Sequence, residues 1–286
     1  MLKIKKYLKL IFKEIIYGGH LFSFGAISII YTISILLNIK ITWDCLLIIY
    51  LGTHSVYLYN RYKELKEDKK TNPERVLYIK KNIKIIPYII FASLAIFIFT
   101  LLLFNKTVVL LFTIALLIFG FLYSLVFKNF TKKIVGFKNF FVSLMWALLA
   151  VVLIIYYNYP FNLPFLLIVL FIILRIFSHE VMSDMKDFKG DKEKKLLVFP
   201  GIIAKHKLIF FLILISTLSF IPLLIGLHFG LFPNYSTILL LLLPYSYYYL
   251  FRLNSEKATN RFVYDIIIDG EYILWFPLIL AGKTLI

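Results

Sequence analysis

A single cysteine, Cys45, is all the thiol chemistry this chain has, and it sits inside an apolar run. Neither a disulfide framework nor a thiolate metal site can be built from it, which leaves the role of a small buried hydrophobe. Acidic residues are scarce as well, 15 Asp and Glu against 32 Lys and Arg, and only 16% of the residues are charged. There is no Gly-rich phosphate loop, no Ser-His-Asp arrangement and no low-complexity segment, so the chemistries those features carry have no foothold. His179-Glu180 begins like a zinc-protease helix, but Ser183 stands where the second histidine ligand is required.

What the chain has in excess is apolar surface. With 61% hydrophobic residues and a mean hydropathy of +0.88 over 286 residues, it carries more than one soluble core can hide, so the bilayer must be its solvent. Runs of roughly 18 to 23 mostly apolar residues recur about nine times, each long enough to cross the hydrocarbon. Their centres fall near Ile29, Ile49, Ala95, Leu116, Leu149, Leu170, Ser216, Leu242 and Trp275, and Asn105-Lys106 makes a tight hairpin between two of them. The start, MLKIKKYLKLIFKEII, has a basic head, but Lys9, Lys13 and Glu14 break the apolar stretch a signal peptide needs. Residues 1–18 therefore read as a retained amphipathic helix in the membrane interface. The whole chain, 1–286, is expected to form one domain, an all-α polytopic transmembrane bundle of about nine helices around a central cavity.

The basic residues sort by side. The N-terminus and the connections near 61–84, 128–138, 186–207 and 252–261, the last including Lys257 and Arg261, hold nearly all of them; Lys40, Lys106 and Lys283 fall opposite, and Arg175 lies within a span. This asymmetry follows the positive-inside rule and predicts a multi-pass protein of the cell membrane with a cytoplasmic N-terminus. Topology and attraction to anionic lipid then account for the net charge of +17, and no nucleic-acid partner is needed.

Two acid stripes lie on that basic face. Asn60, Glu64 and Asp68 follow one another at i,i+4, so a helix continuing past the membrane surface would place all three on one side. Glu180, Asp184, Asp187 and Asp191 form the second stripe, with Gly190 expected to end or bend the helix near the last of them. Like charges at this spacing repel by a few tenths of a kcal/mol, and a bound cation reverses that sign. Mg²⁺ prefers a few carboxylates together with phosphate oxygens, so two facing clusters can clamp a diphosphate. Departure of diphosphate from an allylic carbon leaves a carbocation, which needs a dry, aromatic-lined pocket. The 29 Phe and 20 Tyr supply ample material for one.

These residues resemble the UbiA superfamily of intramembrane prenyltransferases, whose members carry N-x-x-x-D-x-x-x-D and a later D-x-x-x-D. Asn60, Glu64 and Asp68 match the first motif with one Asp-to-Glu departure, followed by Pro73 and Arg75; Asp187 and Asp191 match the second within DMKDFKGD. Tyr123-Ser124, Lys128 and the GFKN run ending in Lys138 and Asn139 are similar to the family's connection between the fourth and fifth spans. The resemblance implies a Mg²⁺-dependent transferase that moves a prenyl group from an isoprenyl diphosphate to a hydrophobic aromatic, quinone-precursor or lipid acceptor. It implies that Asn60, Glu64, Asp68, Asp187 and Asp191 hold the metal and diphosphate. Asp68, Asp191, Lys128 and Tyr123 would be catalytic, and Arg75, Lys128, Asp184, Ser124, Lys138 and Asn139 would line the donor pocket. Two other outcomes keep the fold: a membrane terpene cyclase, or a non-catalytic lipid-binding or transport protein.

Glu64 adds a methylene where the family has Asp, and the first span, 20–39, contains no Arg to pair with a benzoate-type acceptor. That leans the expected acceptor away from 4-hydroxybenzoate. Several ionisable residues stay open at this stage. His20 either joins the acceptor site or is interfacial; Asp269 and Glu271 either shape the acceptor pocket or form salt bridges; Arg175 either reaches the diphosphate or neutralises Glu180.

Overall fold

The computed structural model describes residues 2–66, 68–104, 106–254 and 263–285; Asn105, Lys257 and Arg261 lie outside them. Among the described residues the chain is helical and contains no strand. This is what a lipid solvent requires, because a helix satisfies its own backbone donors and acceptors. Helices α1 (Leu2–Tyr17), α2 (His20–Leu36) and α3 (Trp43–Lys63) are followed by two short ones, α4 (Asp68–Thr71) and α5 (Pro73–Lys81). Then come α6 (Ile86–Leu103), α7 (Thr107–Leu125), α8 (Phe137–Tyr157) and α9 (Leu163–Glu193). The last part holds α10 (Lys205–Ser219), α11 (Ile221–His228), α12 (Leu242–Asn254) and α13 (Glu271–Leu285).

Among the described residues, five helices are long and apolar enough to cross a membrane, 86–103, 107–125, 137–157, 163–188 and the α10–α11 unit 205–228, or six if the bent pair of α1 and α2 forms one span. The count of about nine is not reproduced. Helix α2 has 17 residues and α13 has 15, and the run around Leu242 is split between a 3₁₀ segment (Asn234–Leu241) and α12. α1 meets α2 at 68°, with Gly19 in the left-handed region (φ 94°) making the corner. Tyr7, Leu10, Ile11 and Phe12 are exposed on α1.

Helix ends follow the local sequence. Pro73, Pro87, Pro164 and Pro222 sit in first turns, where their missing N–H costs nothing. Asn162 caps α9 by accepting from the Phe165 N–H at 3.2 Å. Pro277 inside α13 cannot donate to the carbonyl of Ile273; Ser28 of α2 donates to that carbonyl instead (2.9 Å) and accepts from the Phe276 N–H (2.8 Å).

The two ends of the bundle are tied differently. At one, Tyr157 bonds to Thr42, and Lys106 donates to the Tyr156 carbonyl at 3.2 Å. At the other, the Leu197 N–H reaches the Thr131 carbonyl (2.9 Å), and Tyr17 and Tyr78 bond to Glu74 and Glu14. The acids of both stripes gather at this second end, and a buried core of α2, α3, α8 and α9 lies beneath them.

Candidate functional site

Two features of the chain differ from expectation on the way to the site. α3 stops at Lys63 rather than continuing, because Asp68 starts a separate short helix. The i→i−4 bonds nevertheless persist, from Glu64 N–H to the Asn60 carbonyl and from Asp68 N–H to the Glu64 carbonyl, both 2.9 Å, so the stripe stays stacked. Gly190 does not end α9, which runs through Asp191 to Glu193. A Cβ on Gly190 would lie 2.7 Å from Thr71 Cγ2, so this glycine permits α4 to approach α9 closely.

A cavity of about 300 Å³ opens among these elements. Ile48, Ile49, Phe97, Leu116 and Val152 line its apolar part, and Asn60, Glu64, Asp68 and Asp187 line its mouth. Aromatic faces form a band between: Phe22 stacks on Tyr57 (centroids 4.4 Å apart), Trp146 donates to the Tyr57 hydroxyl at 3.2 Å, and Phe141 stacks on Tyr123 at 5.2 Å. A smaller recess of about 90 Å³ adjoins the mouth, where Glu64, Asp68, Asp187 and Asp191 meet Arg75, Lys128, Lys138, Lys194 and Tyr123.

Most of the expected residues therefore meet, with partners of their own. Arg75 donates twice to Asp68 Oδ2 (2.7 and 3.1 Å). Glu64 Oε1 receives both Lys128 Nζ at 3.0 Å and the Ser124 hydroxyl at 2.9 Å, and Ser124 also reaches Asn60 Oδ1. Asp187 accepts from Asn72 at 3.4 Å. Asp184 and Asn139 line neither the cavity nor the recess: Asp184 is buried between Lys138 Nζ (2.5 Å) and the Asn139 amide (2.7 Å), fixing the lysine that borders both.

The acids feel one another. Burial, with Glu64 and Asp187 nearby, pushes the Asp68 carboxyl upward against the pull of Arg75. Burial and the neighbouring Asp184 and Asp187 push Asp191 up to about 6, despite Lys138. Asp191 Oδ2 is buried with no hydrogen-bond partner. Among the described residues no three such side chains already converge on a metal position. Hard oxygen donors in two facing groups, with one oxygen left unsatisfied, suit Mg²⁺ completed by phosphate oxygens, so the residues present fit that ion.

The open residues are also placed. Arg175 pairs with buried Glu271, which accepts from Tyr249 as well, so Arg175 neither reaches the mouth nor neutralises Glu180. Asp269 lies 3.3 Å from His179 Nε2, and both line the cavity with Glu180. His20 bonds to Tyr50 and stacks on His54 at 4.4 Å, outside the cavity lining. Arg61, Lys186 and His179 are cavity residues that sequence reasoning missed as such.

Fold and site together define a multi-pass helical membrane protein with an apolar cavity whose mouth is lined by facing acids and bases. The sequence matches the UbiA prenyltransferase family over residues 21–268, and the chain belongs to that family. No curated protein sequence matches it. Among solved structures, the ligand-free UbiA homologue of Aeropyrum pernix K1 is 13% identical, with a TM-score of 0.68 over 92% of this chain and 97% of that one. A UbiA homologue of Archaeoglobus fulgidus bound to GPP and Mg²⁺ is 14% identical, with a TM-score of 0.66 over 96% and 100%. A digeranylgeranylglyceryl phosphate synthase structure is 18% identical, with a TM-score of 0.57 over 99% and 97%. At these identities the likeness is one of fold.

Proposed function

We propose that this protein transfers a prenyl group from an isoprenyl diphosphate to a hydrophobic acceptor within the membrane, with Mg²⁺ as cofactor. The observation that carries this reading is the continuity of the cavity. One end is apolar and aromatic, the other is a rim of carboxylates and cations, and an isoprenyl diphosphate has the same division. The fold-level likeness to a homologue bound to GPP and Mg²⁺ supports the same assignment.

Glu64, Asp68, Asp187 and Asp191, with Asn60, would hold Mg²⁺, which supplies positive charge to the departing diphosphate. Lys128, Lys138 and Arg75 add fixed cations around the same recess, where charge grows as the C1–O bond of the donor breaks and its electron pair leaves with the oxygen. The faces of Tyr57, Tyr123 and Trp146 stabilise the allylic cation, and the apolar walls keep water from quenching it. The charge asymmetry supports a mouth on the cytoplasmic side of the cell membrane, where water-borne diphosphates arrive.

The test uses purified protein in lipid with Mg²⁺ and a series of isoprenyl diphosphates. Diphosphate release or adduct formation is expected. Asp68→Ala and Asp191→Ala should each lower it by about a hundredfold or more, and chelation should abolish it. Turnover that survives chelation overturns the Mg²⁺ assignment, and absence of turnover with every donor and acceptor class overturns the transferase. Product analysis without added acceptor separates transfer from cyclisation.

A further inference from the structure

The apolar part of the cavity has a depth that can be read from its walls. Along α3 the lining residues Ile48, Gly52, Val56 and Asn60 follow at helical spacing, so one stripe faces the cavity from floor to mouth. At 1.5 Å per residue this stripe runs about 18 Å from Asn60 down to Ile48. Tyr123 to Thr113 on α7 gives about 15 Å, and Phe141 to Val152 on α8 gives about 16 Å. Among the described residues, the charged lining groups belong to the mouth, to α9 and to the segment before α13, and the lane between α3, α6, α7 and α8 below Asn60 carries none.

The far end of this lane is closed. About one turn beyond its last lining residue on each helix stand Cys45 (α3), Leu101 (α6), Val109 (α7) and Tyr156 (α8), all buried and none lining the cavity. There the Tyr156 hydroxyl donates to the Asp44 carboxylate, clasping α8 to α3, and Lys106 sits over the Tyr156 ring at 4.6 Å. The Thr113 hydroxyl donates to the Val109 carbonyl of its own helix at 2.7 Å, so the floor presents an apolar surface.

Gly52 is a gap in one wall, about 12 Å below Asn60. It lies inside α3, and a Cβ there would be 3.4 Å from Phe97 Cε2 and 3.9 Å from Leu117 Cδ2, which is ordinary contact. The packing therefore does not require glycine, and its missing side chain leaves room in the lane. Gly120 differs, because a Cβ there would come within 2.9 Å of both Val56 methyls. That glycine brings α7 onto α3.

We propose that this blind lane measures the donor: it takes an isoprenyl tail of three units, as in farnesyl diphosphate, and Gly52 is the residue that determines the length. This rests on the prenyl-transfer reading. Each isoprene unit adds four carbons to the chain, about 5 Å when extended. With the diphosphate at the mouth and C1 level with Asn60 and Tyr123, two units reach about 10 Å and stop short of Gly52. Three units reach about 15 Å, past Gly52 to Thr113, and four, at about 20 Å, run into Ile48 and the clasp beneath it.

The test is thermal unfolding of the full chain in nanodiscs with Mg²⁺, titrated with the geranyl, farnesyl and geranylgeranyl S-thiolodiphosphates at equal analogue per lipid. The farnesyl analogue should bind most tightly, since it fills the lane without overrunning it. Gly52→Leu puts a branched side chain across the lane, so it should weaken the farnesyl analogue by at least about tenfold and leave the geranyl analogue within about twofold of wild type. Ile48→Ala lowers the floor and should strengthen the geranylgeranyl analogue relative to the farnesyl one. Comparing each variant with wild type for the same analogue cancels the partitioning of that analogue into lipid.

If the geranyl or the geranylgeranyl analogue binds wild type as tightly as the farnesyl one, the lane does not measure length, and this inference is overturned while prenyl transfer stands. Equal weakening of the geranyl and farnesyl analogues by Gly52→Leu overturns it too. Should that variant not fold, Ile48→Ala decides: no relative gain for the geranylgeranyl analogue overturns the inference. Absence of binding of every analogue to wild type would overturn prenyl transfer itself, and the length selection with it.

Discussion

At the scale of single residues, Glu64 shows how a departure from a family pattern is used. Its longer side chain lets Oε1 receive both Ser124 and Lys128 from the end of α7 and the turn after it, closing the mouth from that side. An aspartate would fall short by one C–C bond, roughly 1.5 Å. Two substitutions separate reach from charge. Glu64→Asp keeps the charge and loses the reach, so the maximal rate should fall several-fold with little change in the Mg²⁺ concentration needed. Glu64→Gln keeps the reach and loses the charge, so half-saturation by Mg²⁺ should rise by about tenfold, the equivalent of roughly 1.4 kcal/mol. Steady-state rates against Mg²⁺ concentration measure both, and identical behaviour of the two variants would mean that the bridge to α7 plays no part. The acids themselves were legible in the sequence, because i,i+4 spacing stacks them whether or not the helix is unbroken. Arg61 was not legible: a basic residue at a helix end looks the same whether it reaches for water or turns into the bundle.

At the scale of elements, the end of α9 decides whether its acids reach the recess. Glycine commonly ends a helix in the left-handed conformation, which made Gly190 look like a terminus. The left-handed residue is instead Lys195 (φ 57°): its N–H bonds to the Lys192 carbonyl at 3.1 Å, and the Leu196 N–H bonds to the Asp191 carbonyl at 3.0 Å. That pairing closes a helix whatever side chain occupies the turn, and the contact of Gly190 with Thr71 belongs to a neighbouring element that local sequence does not reveal. Opposite effects of two substitutions follow. Gly190→Ala should destabilise by about 1 kcal/mol, because the new methyl meets Thr71 Cγ2; Thr71→Ser, which removes that carbon, should restore most of the loss. Lys195→Gly should stabilise by about 1 kcal/mol, because glycine enters the left-handed region without the Cβ clash. Melting curves of the single variants and of the Gly190/Thr71 pair check both, and a double variant no better than Gly190→Ala would place the strain elsewhere.

At the scale of the whole molecule, fold class was legible because lipid permits so few solutions, whereas the number of spans was not. Hydropathy reports composition along the chain, and it cannot tell one straight helix from the 3₁₀ segment and α12 that divide the run around Leu242, nor from a short helix such as α13. Alternation of the connections was the sounder guide. Lys106 and Thr42 share one end of the bundle through Tyr156 and Tyr157, while Thr131 and Leu197 share the other, so the basic connections and the mouth lie together. Positive charge resists translocation and is drawn to anionic lipid, so that end should face the cytoplasm. Cys45 is fully buried and the only cysteine, and Cys45→Ala gives a background without thiols for a direct test. In that background Lys40→Cys and Lys132→Cys each place an exposed thiol, one at either end. A membrane-impermeant maleimide added to intact cells should label the Lys40→Cys variant at once and the Lys132→Cys variant only after permeabilisation. Labelling in the opposite order would put the acid-lined mouth outside the cell, where cytoplasmic diphosphates do not reach it, and the charge distribution would then need another cause.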